Sequence, residues 1–302
     1  MAIYQDSRAY VAAVEGLALL RAFCGEHDAD FTLRRFEELR RLIDPTTDLG
    51  NAVALTPLAI EEGYAAWAPH YDDPGNGCFA LDEPVIAEIL DQVAPGRAVD
   101  VACGTGRISA MLHRRGHEVV GVDASREMLA VARRALPDTE FRHGSALELP
   151  VPDGSSDLVT CCLALSHLPD LGPAFDEFAR VLVPGGHLLI SDVRGFLGTF
   201  GAPVVQPRVD GSLGFLPVWI HTTGTYLRAA LAAGFEVLRC EEPAAEEISL
   251  DDPRWLPAAP TPAGQAPSVW ALHSWCPEAT LAAFAGNPGA IIWHFRRTEV
   301  TR

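Results

Sequence analysis

A chain of 302 residues, 48% of them hydrophobic, carries enough apolar side chain to bury one large domain or a domain with an added cap. Its formal net charge of −17 argues against nucleic acid and anionic membrane as partners, because both bind basic patches. No apolar run approaches the ~18 residues of a membrane span, no basic head with an apolar core opens the chain, and the seven cysteines form no CxxC pair or zinc spacing, so reduced thiols, a cytoplasmic location and no metal are expected.

Residues 1–60 read as helices. Apolar residues recur at three- and four-residue spacing over 8–24 and 31–43, with Arg and Glu between them. Asp30 is placed to cap the second helix, and Pro45 follows its end. The stretch shows no chemistry and reads as a lid or dimerisation arm, so a homodimer through these helices is the expected assembly. Gly50, Asn51 and Pro57 mark a break before a second unit over 61–302. There an aromatic returns after seven residues, Tyr64 then Tyr71, a pattern that by itself describes an aromatic helix face in a core. Asp73-Pro74-Gly75-Asn76-Gly77 is a turn signal, and Pro84 stands near the start of a helix running to residue 93.

The most informative stretch is 99–109, VDVACGTGRIS. It begins as a buried strand, breaks at Cys103-Gly104-Thr105-Gly106, and continues as a helix. Strand, glycine turn and helix bring backbone N–H groups and a helix N-terminus up to a ligand. A second strand over 118–122 ends in Asp123, about twenty residues beyond the turn, where an acid can grip a ribose diol. The ligand is then a dinucleotide or a nucleoside with a short tail. The dinucleotide fingerprint needs a third glycine, and Ser109 stands in its place. Strands and helices alternate to residue 192, which gives a parallel sheet covered on both faces. Ser125 is placed to cap the helix that holds Met128 and Leu129, either of which is able to flank a flat ring. Residues 193–225, punctuated by Gly195, Gly198, Gly201, Pro203 and Pro207 among apolar residues such as Phe196 and Phe200, fit neither helix nor strand. A helix over 226–233 and a strand over 235–240 follow. A second insertion, 241–288, turns from acidic to Pro/Ala-rich to helical near 268–285, and a last strand spans 290–296.

Asp100-x-Ala102-x-Gly104-x-Gly106 with Asp123 on the next strand resembles the class I S-adenosylmethionine (SAM)-dependent methyltransferases. Three further motifs in order carry the resemblance over about 61–300. Tyr64, Ala68, Tyr71 and Asp72 match the lead-in of many small-molecule members, with Ala65 replacing its first acid. Residues 141–147 match the third loop, and 157–170 the fourth strand and its loop. Val183-Pro184-Gly185-Gly186 is similar to the turn before the fifth strand. The resemblance implies an α/β, Rossmann-like, doubly wound sheet of seven mostly parallel strands, with a helical N-terminal extension and cap insertions at about 193–225 and 241–288. It implies SAM as cofactor and a small organic acceptor. Asp100 would face the methionine ammonium side, Ala102, Cys103, Gly104 and Gly106 would run under methionine and ribose, and Asp123 would hold both ribose hydroxyls. Tyr71 would line the methyl-donor pocket. Ala124, Met128, Gly144, Ser145, Ala146, Leu163 and Ala164 would complete the cofactor site, with Ser145 standing where an acid usually meets the adenine amino group.

Methyl transfer from a sulfonium is an in-line displacement that needs the nucleophile about 3 Å from the methyl carbon and water excluded. For a hydroxyl or weakly acidic carbon, a base near neutral pKa helps, and His167, His221 and His70 are the candidates. Two other functions stand beside this one. The first is a nicotinamide-dependent dehydrogenase. The second is a cofactor-binding methyltransferase homologue without transfer activity, which the changed Ser145 and Ala65 leave open.

Overall fold

A computed structural model describes residues 2–73, 77–194, 204–208, 210–244, 249–251, 255, 257–263, 265–267 and 269–298. Among these the strands are β1 (Ile3–Gln5), β2 (Val53–Pro57), β3 (Arg97–Val101), β4 (Glu118–Asp123), β5 (Glu140–His143), β6 (Ser156–Cys162), β7 (Leu182–Val193), β8 (Val204–Pro207), β9 (Leu213–Leu216), β10 (Phe235–Glu241) and β11 (Ala290–Arg297). The helices are α1 (Ser7–Phe23), α2 (Ala29–Ile43), α3 (Ile60–Trp67), α4 (Gly77–Leu90), α5 (Arg107–Arg114), α6 (Arg126–Ala135), α7 (Gly172–Val181), α8 (Thr223–Ala232), α9 (Val269–His273) and α10 (Pro277–Phe284). Short 3-10 turns lie at Ala68–His70 and Leu165–His167.

The chain forms two compact units. The first comprises Met1–Pro57, Gly211–Phe215 and Ala245–Asn287. Its core sets Val11, Val14 and Ala18 of α1 and Phe31 and Leu42 of α2 against Leu272, Ala279 and Ala283. Glu15 and Arg35 make a buried ion pair at 3.2 Å within it. Residues 1–57 are not helical throughout. β1 pairs antiparallel with β2, which runs parallel to β9. Tyr4 stands 72% exposed and Val53 and Ala54 are short, so this segment has too few periodic apolar residues to announce a strand in sequence. The cap of α2 is Asp28, whose carboxylate accepts the Phe31 N–H at 2.8 Å, rather than Asp30, which lies in the first turn.

The second unit comprises Leu58–Asp210, Leu216–Ala244 and Pro288–Arg302. Its sheet has the order β10-β11-β7-β6-β3-β4-β5. All neighbours run parallel except β11, which is antiparallel to both β7 and β10. This is the expected α/β sheet of seven mostly parallel strands. The chain leaves β3 in opposite directions toward β4 and β6, so the sheet opens at the C-terminal ends of these strands, where such sheets take ligands. Val99, Val101, Val159, Ile190 and Trp293 form one apolar face with Phe175 and Phe178 of α7. Ala98, Leu158 and Leu189 form the other, with Ile86 and Leu90 of α4 and Leu112 of α5.

Three boundaries differ from the sequence reading. Pro84 lies inside α4, not near its start. β7 starts directly after α7, so the Pro184-Gly185-Gly186 turn belongs to the strand as an irregularity in its pairing with β6. Part of 193–225 is extended, as β8 and β9, and α8 begins at Thr223 because the Thr222 hydroxyl accepts the Thr225 N–H. The expected features at residues 74–76, 195–203 and 245–248, including Gly195, Phe196, Gly198, Phe200, Gly201 and Pro203, lie outside the described residues. No helix among the described residues is long and apolar enough to cross a membrane.

Candidate functional site

The glycine turn follows β3 directly. Three of its residues take left-handed backbone angles: Ala102 at φ 52°, Gly104 at 55° and Gly106 at 93°. The two glycines serve different ends. A Cβ on Gly104 would meet no atom within 4 Å, so its face is open to a ligand. A Cβ on Gly106 would come within 3.3 Å of Leu136 and 3.4 Å of Ala132, so Gly106 lets α6 pack closely. Ala102 holds an angle that costs a side-chain-bearing residue about 1 kcal/mol or more. Cys103 turns its sulfur into a small core with Leu129, Ala132 and Phe141, which leaves only its backbone to the turn.

Asp123 ends β4 beside this turn. One carboxylate oxygen accepts the Gly104 N–H at 2.8 Å and the other the Ser125 N–H at 2.7 Å. The acid and the turn are therefore locked side by side. Burial pushes the Asp123 pKa up, against the pull of the Ser125 and Gly104 amides. Each oxygen keeps a further lone pair for an incoming hydroxyl. Around it, Gly144 donates its N–H to the Asp123 carbonyl at 3.0 Å, and His143 Nε2 donates to the Ala124 carbonyl at 2.9 Å.

Two of the residues expected at the cofactor, Asp100 and Met128, are buried. Asp100 lies in β3, two residues before Ala102. It is 1% exposed, and its oxygens accept the Ser109 hydroxyl at 2.6 Å and the Thr160 hydroxyl at 2.8 Å. The β3 register sets Asp100 opposite Thr160, which accounts for one of these bonds. Burial raises the Asp100 pKa to about 6. Ser109, where a dinucleotide site needs glycine, is thus bound to the strand behind the turn. Met128 is 1% exposed and Leu129 fully buried, so neither lines an open site. Ser145 is exposed, and its hydroxyl accepts the Leu147 N–H at 3.1 Å. Ala146 is half-buried beside it.

The lead-in segment folds onto the turn. The Thr105 hydroxyl donates to Asp72 at 2.8 Å, and α3 packs against α6. Tyr64, Trp67, Tyr71 and Phe79 form a continuous aromatic wall. Trp67 meets Tyr71 edge-on at 4.9 Å, and Tyr71 meets Phe79 at 5.7 Å. Burial raises the Tyr71 phenol well above its ordinary range. Arg107, the first residue of α5, lies 4.3 Å over the Phe79 ring and grips Asp82 with two bonds, at 2.8 and 2.9 Å. Burial works against the Arg107 charge, but Asp82 overrides it and raises the pKa. Asp82 also accepts the Ser191 hydroxyl at 2.7 Å. This network was missed in sequence because no spacing rule connects residues 82, 107 and 191.

The loop after β6 supplies the histidine. Leu163 takes φ 56°, a strained angle for leucine, and Ala164 follows it into the 3-10 turn. Three bonds join this loop to residues 217–221. His167 Nδ1 donates to the Pro217 carbonyl at 2.9 Å, the Trp219 N–H to the Ser166 carbonyl at 2.7 Å, and His221 Nε2 to the Leu168 carbonyl at 2.8 Å. Burial lowers the His167 pKa, against the Pro217 carbonyl. His70 is a poor base for this chemistry. Its side chain is 73% exposed and pairs with Asp73 at 3.0 Å, in bulk water. Asp192, at the end of β7, was also missed. It is buried, accepts the Tyr226 hydroxyl at 2.8 Å, and has its pKa raised by that burial.

Comparisons with known proteins bear on the family and the fold. Residues 99–190 match the sequence model of the methyltransferase domain family. The chain is 32% identical over 215 residues to a ubiquinone biosynthesis O-methyltransferase of Ralstonia nicotianae, covering 66% of this chain and 85% of that one. It is 39% identical over 181 residues to the methyltransferase GfsG of Streptomyces halstedii, covering 57% of this chain and 65% of that one. It is 43% identical over 103 residues to a demethylmenaquinone methyltransferase of Thermus thermophilus, covering 32% of this chain and 47% of that one. The chain thus spans about half to two-thirds of these last two relatives. Among solved structures, the [4+2]-cyclase SpnF aligns at a TM-score of 0.52 and 20% identity, over 81% of this chain and 97% of that one. The DhpI–SAH complex aligns at 0.51 and 21%, over 78% and 93%. At these identities the two structures bear on the fold alone. The ordered motifs, the turn locked to Asp123, and a relative at 32% identity covered over 85% of its length lead to one assignment: the chain belongs to the class I SAM-dependent methyltransferase family.

Proposed function

We propose that this protein transfers a methyl group from SAM to a small organic acceptor, at oxygen, nitrogen or carbon. The observation that carries the reading is the bond from the Gly104 N–H to Asp123, which sets a carboxylate with free lone pairs beside the open face of the turn. The residues fit the cofactor. Asp123 would hold the ribose hydroxyls, the backbone of 102–106 would lie under ribose and methionine, and Gly144 to Ala146 would border the adenine. When bound, SAM supplies an electrophilic methyl on a positively charged sulfur. The electron-rich faces of Tyr71 and its aromatic neighbours favour such a cation. The same wall excludes water from the displacement and suits a flat, apolar acceptor. His167 and His221 border the loop where the sheet opens, and one of them, directly or through a hydrogen-bonded neighbour, would handle the acceptor's proton.

The test has two steps. Calorimetry with S-adenosylhomocysteine (SAH), the demethylated cofactor, should show binding by the wild type. Methyl-labelled SAM, incubated with a panel of phenols, quinols, secondary alcohols and amines, should then label a product. Absence of SAH binding at millimolar concentration would sink the reading. SAH binding with no SAH released from SAM in any acceptor mixture would favour the second reading, a homologue without transfer activity. That alternative draws on Ser145, which is exposed and offers a hydroxyl where the family usually has an acid.

The same reading covers the rest of the chain. Residues 1–60 act as a lid or dimerisation arm, and the segments at 193–225 and 241–288 as caps that select the acceptor. A homodimer through α1 and α2 is supported by Leu20, Phe23, Leu33 and Phe36, which these helices leave exposed. Light scattering that finds a monomer at high concentration would remove it. The acidic charge supports a partner other than nucleic acid, and the free cysteines support a reducing, cytoplasmic setting.

A further inference from the structure

We propose that Tyr64 is the group that takes the acceptor's proton, with His167 acting through it. This inference rests on the methyl-transfer reading above. The partners of His167 fix its tautomer. A carbonyl oxygen only accepts, so the bond to the Pro217 carbonyl places the imidazole hydrogen on Nδ1 and the lone pair on Nε2. Nε2 lies 2.8 Å from the Tyr64 hydroxyl. Tyr64 therefore donates to His167, and the lone pair a direct base would use is already occupied by the phenol.

Tyr64 is held for this task. Its ring meets His167 edge-on at 5.4 Å and stacks on Trp67 at 5.9 Å. Gly63 presses α3 against Leu216, where a Cβ would come within 2.3 Å of the leucine side chain. Its partner His167 lies in the 3-10 turn just after the C-terminal end of β6, which sets the phenol on the side of the sheet that carries the turn. The phenol oxygen keeps lone pairs beyond the one bond it donates.

The proton step balances within these groups. The acceptor's O–H proton passes to the Tyr64 oxygen as the Tyr64 proton passes to His167 Nε2. The freed oxygen pair forms the bond to the methyl carbon, and the carbon–sulfur pair stays on sulfur. Tyr64 ends neutral, and His167 ends as an imidazolium that donates to both Pro217 and Tyr64. It returns its proton to solvent after product leaves. Tyr71 stands 6.2 Å from Tyr64 between ring centroids, the charges of Asp123, Asp192 and Cys78 also act on the phenol, and Asp192 acts on His167.

Two measurements test this. Nitrogen-15 NMR of the His167 ring in the SAH-bound protein should show hydrogen on Nδ1, and the Nε2 shift should move in Tyr64→Phe. Hydrogen on Nε2 would overturn the proposal whatever the activity. With an acceptor from the panel, Tyr64→Phe and His167→Gln should each lower kcat about 10²–10³-fold, with KM changed less than threefold and SAH affinity within twofold. The double variant should be no slower than the slower single one. Wild-type transfer with Tyr64→Phe within threefold of it would overturn the relay and leave the methyl-transfer reading standing. Wild type that binds SAH yet transfers no methyl would overturn both.

Discussion

Asp123 and Ala102 show how much one residue of the turn decides. Asp123 joins two backbone amides to the place where a ribose would sit. Asp123→Ala removes the acceptor for charge-assisted bonds and strands the Gly104 and Ser125 N–H groups. Cofactor binding should weaken by roughly 2–4 kcal/mol, measured by SAH calorimetry. Unchanged affinity would take the ribose role from this residue. Ala102 carries the opposite effect, a small strain at φ 52°. Ala102→Gly relieves about 1 kcal/mol or more of that strain, while the extra freedom of glycine in the unfolded chain returns about 0.4–1 kcal/mol. The melting temperature should stay level or rise by ~2 °C, with SAH binding kept. A fall of several degrees would show that the angle costs alanine nothing.

At the scale of elements, two contacts bind the sheet to its surroundings. Arg107, at the start of α5, is joined to Asp82 in α4, which is fully buried and also holds Ser191 of β7. Asp82→Ala leaves a largely buried guanidinium without its main partner. It should cost about 3–5 kcal/mol in urea unfolding, and a loss under 1 kcal/mol would show that Glu83 suffices. The second contact joins β7 to β11, where His187 Nδ1 lies 2.9 Å from His294 Nε2. Burial lowers both pKa values, that of His294 to about 4, and Arg296 adds to the shift in each. Both folded values lie below the unfolded value of ~6.5, so the fold favours the neutral rings. Their contribution is complete above pH ~6.5 and is lost as pH falls toward 4. Between pH 7 and 4.5, His294→Gln should lose about 1–3 kcal/mol less stability than the wild type. Equal losses would remove the pair from the acid response.

At the scale of the molecule, the chain passes three times into the first unit and three times into the second. Each unit has its own apolar core. The turn, Asp123, Tyr64 and His167 all belong to the second. Ligand that binds only the folded state should therefore raise the melting of that unit by mass action and leave the first where it was. Calorimetry with rising SAH should resolve two transitions, of which one moves. A single transition that moves as a whole would show that the two units unfold as one.

Much of this was legible because its determinants are local. Strand, glycine turn and helix lie within 99–114, and Asp123 follows at a distance set by one helix and one strand, so motif and geometry coincide. The alternation of strands and helices carried the parallel sheet for the same reason, since each element's period is written in its own residues. The cap of α2 was misplaced by two residues because Asp28 and Asp30 have the same chemistry and differ only in backbone angle. β1, β2, β8 and β9 escaped notice because short strands have too few residues for a period. The side-chain partnerships of the site belong to tertiary structure. Asp100 reads as a lone acid among apolar strand residues until the register sets Thr160 beside it. His167 reads as a lone histidine until residues 64 and 217, far apart in the chain, close on its two nitrogens. The sequence by itself determined the cofactor turn and the order of the sheet, because neighbours in the chain make them. Only the tertiary structure decided which groups close on the two nitrogens of His167 and which side chains hold Asp100, because a hydrogen-bond partner is a fact of distance in space.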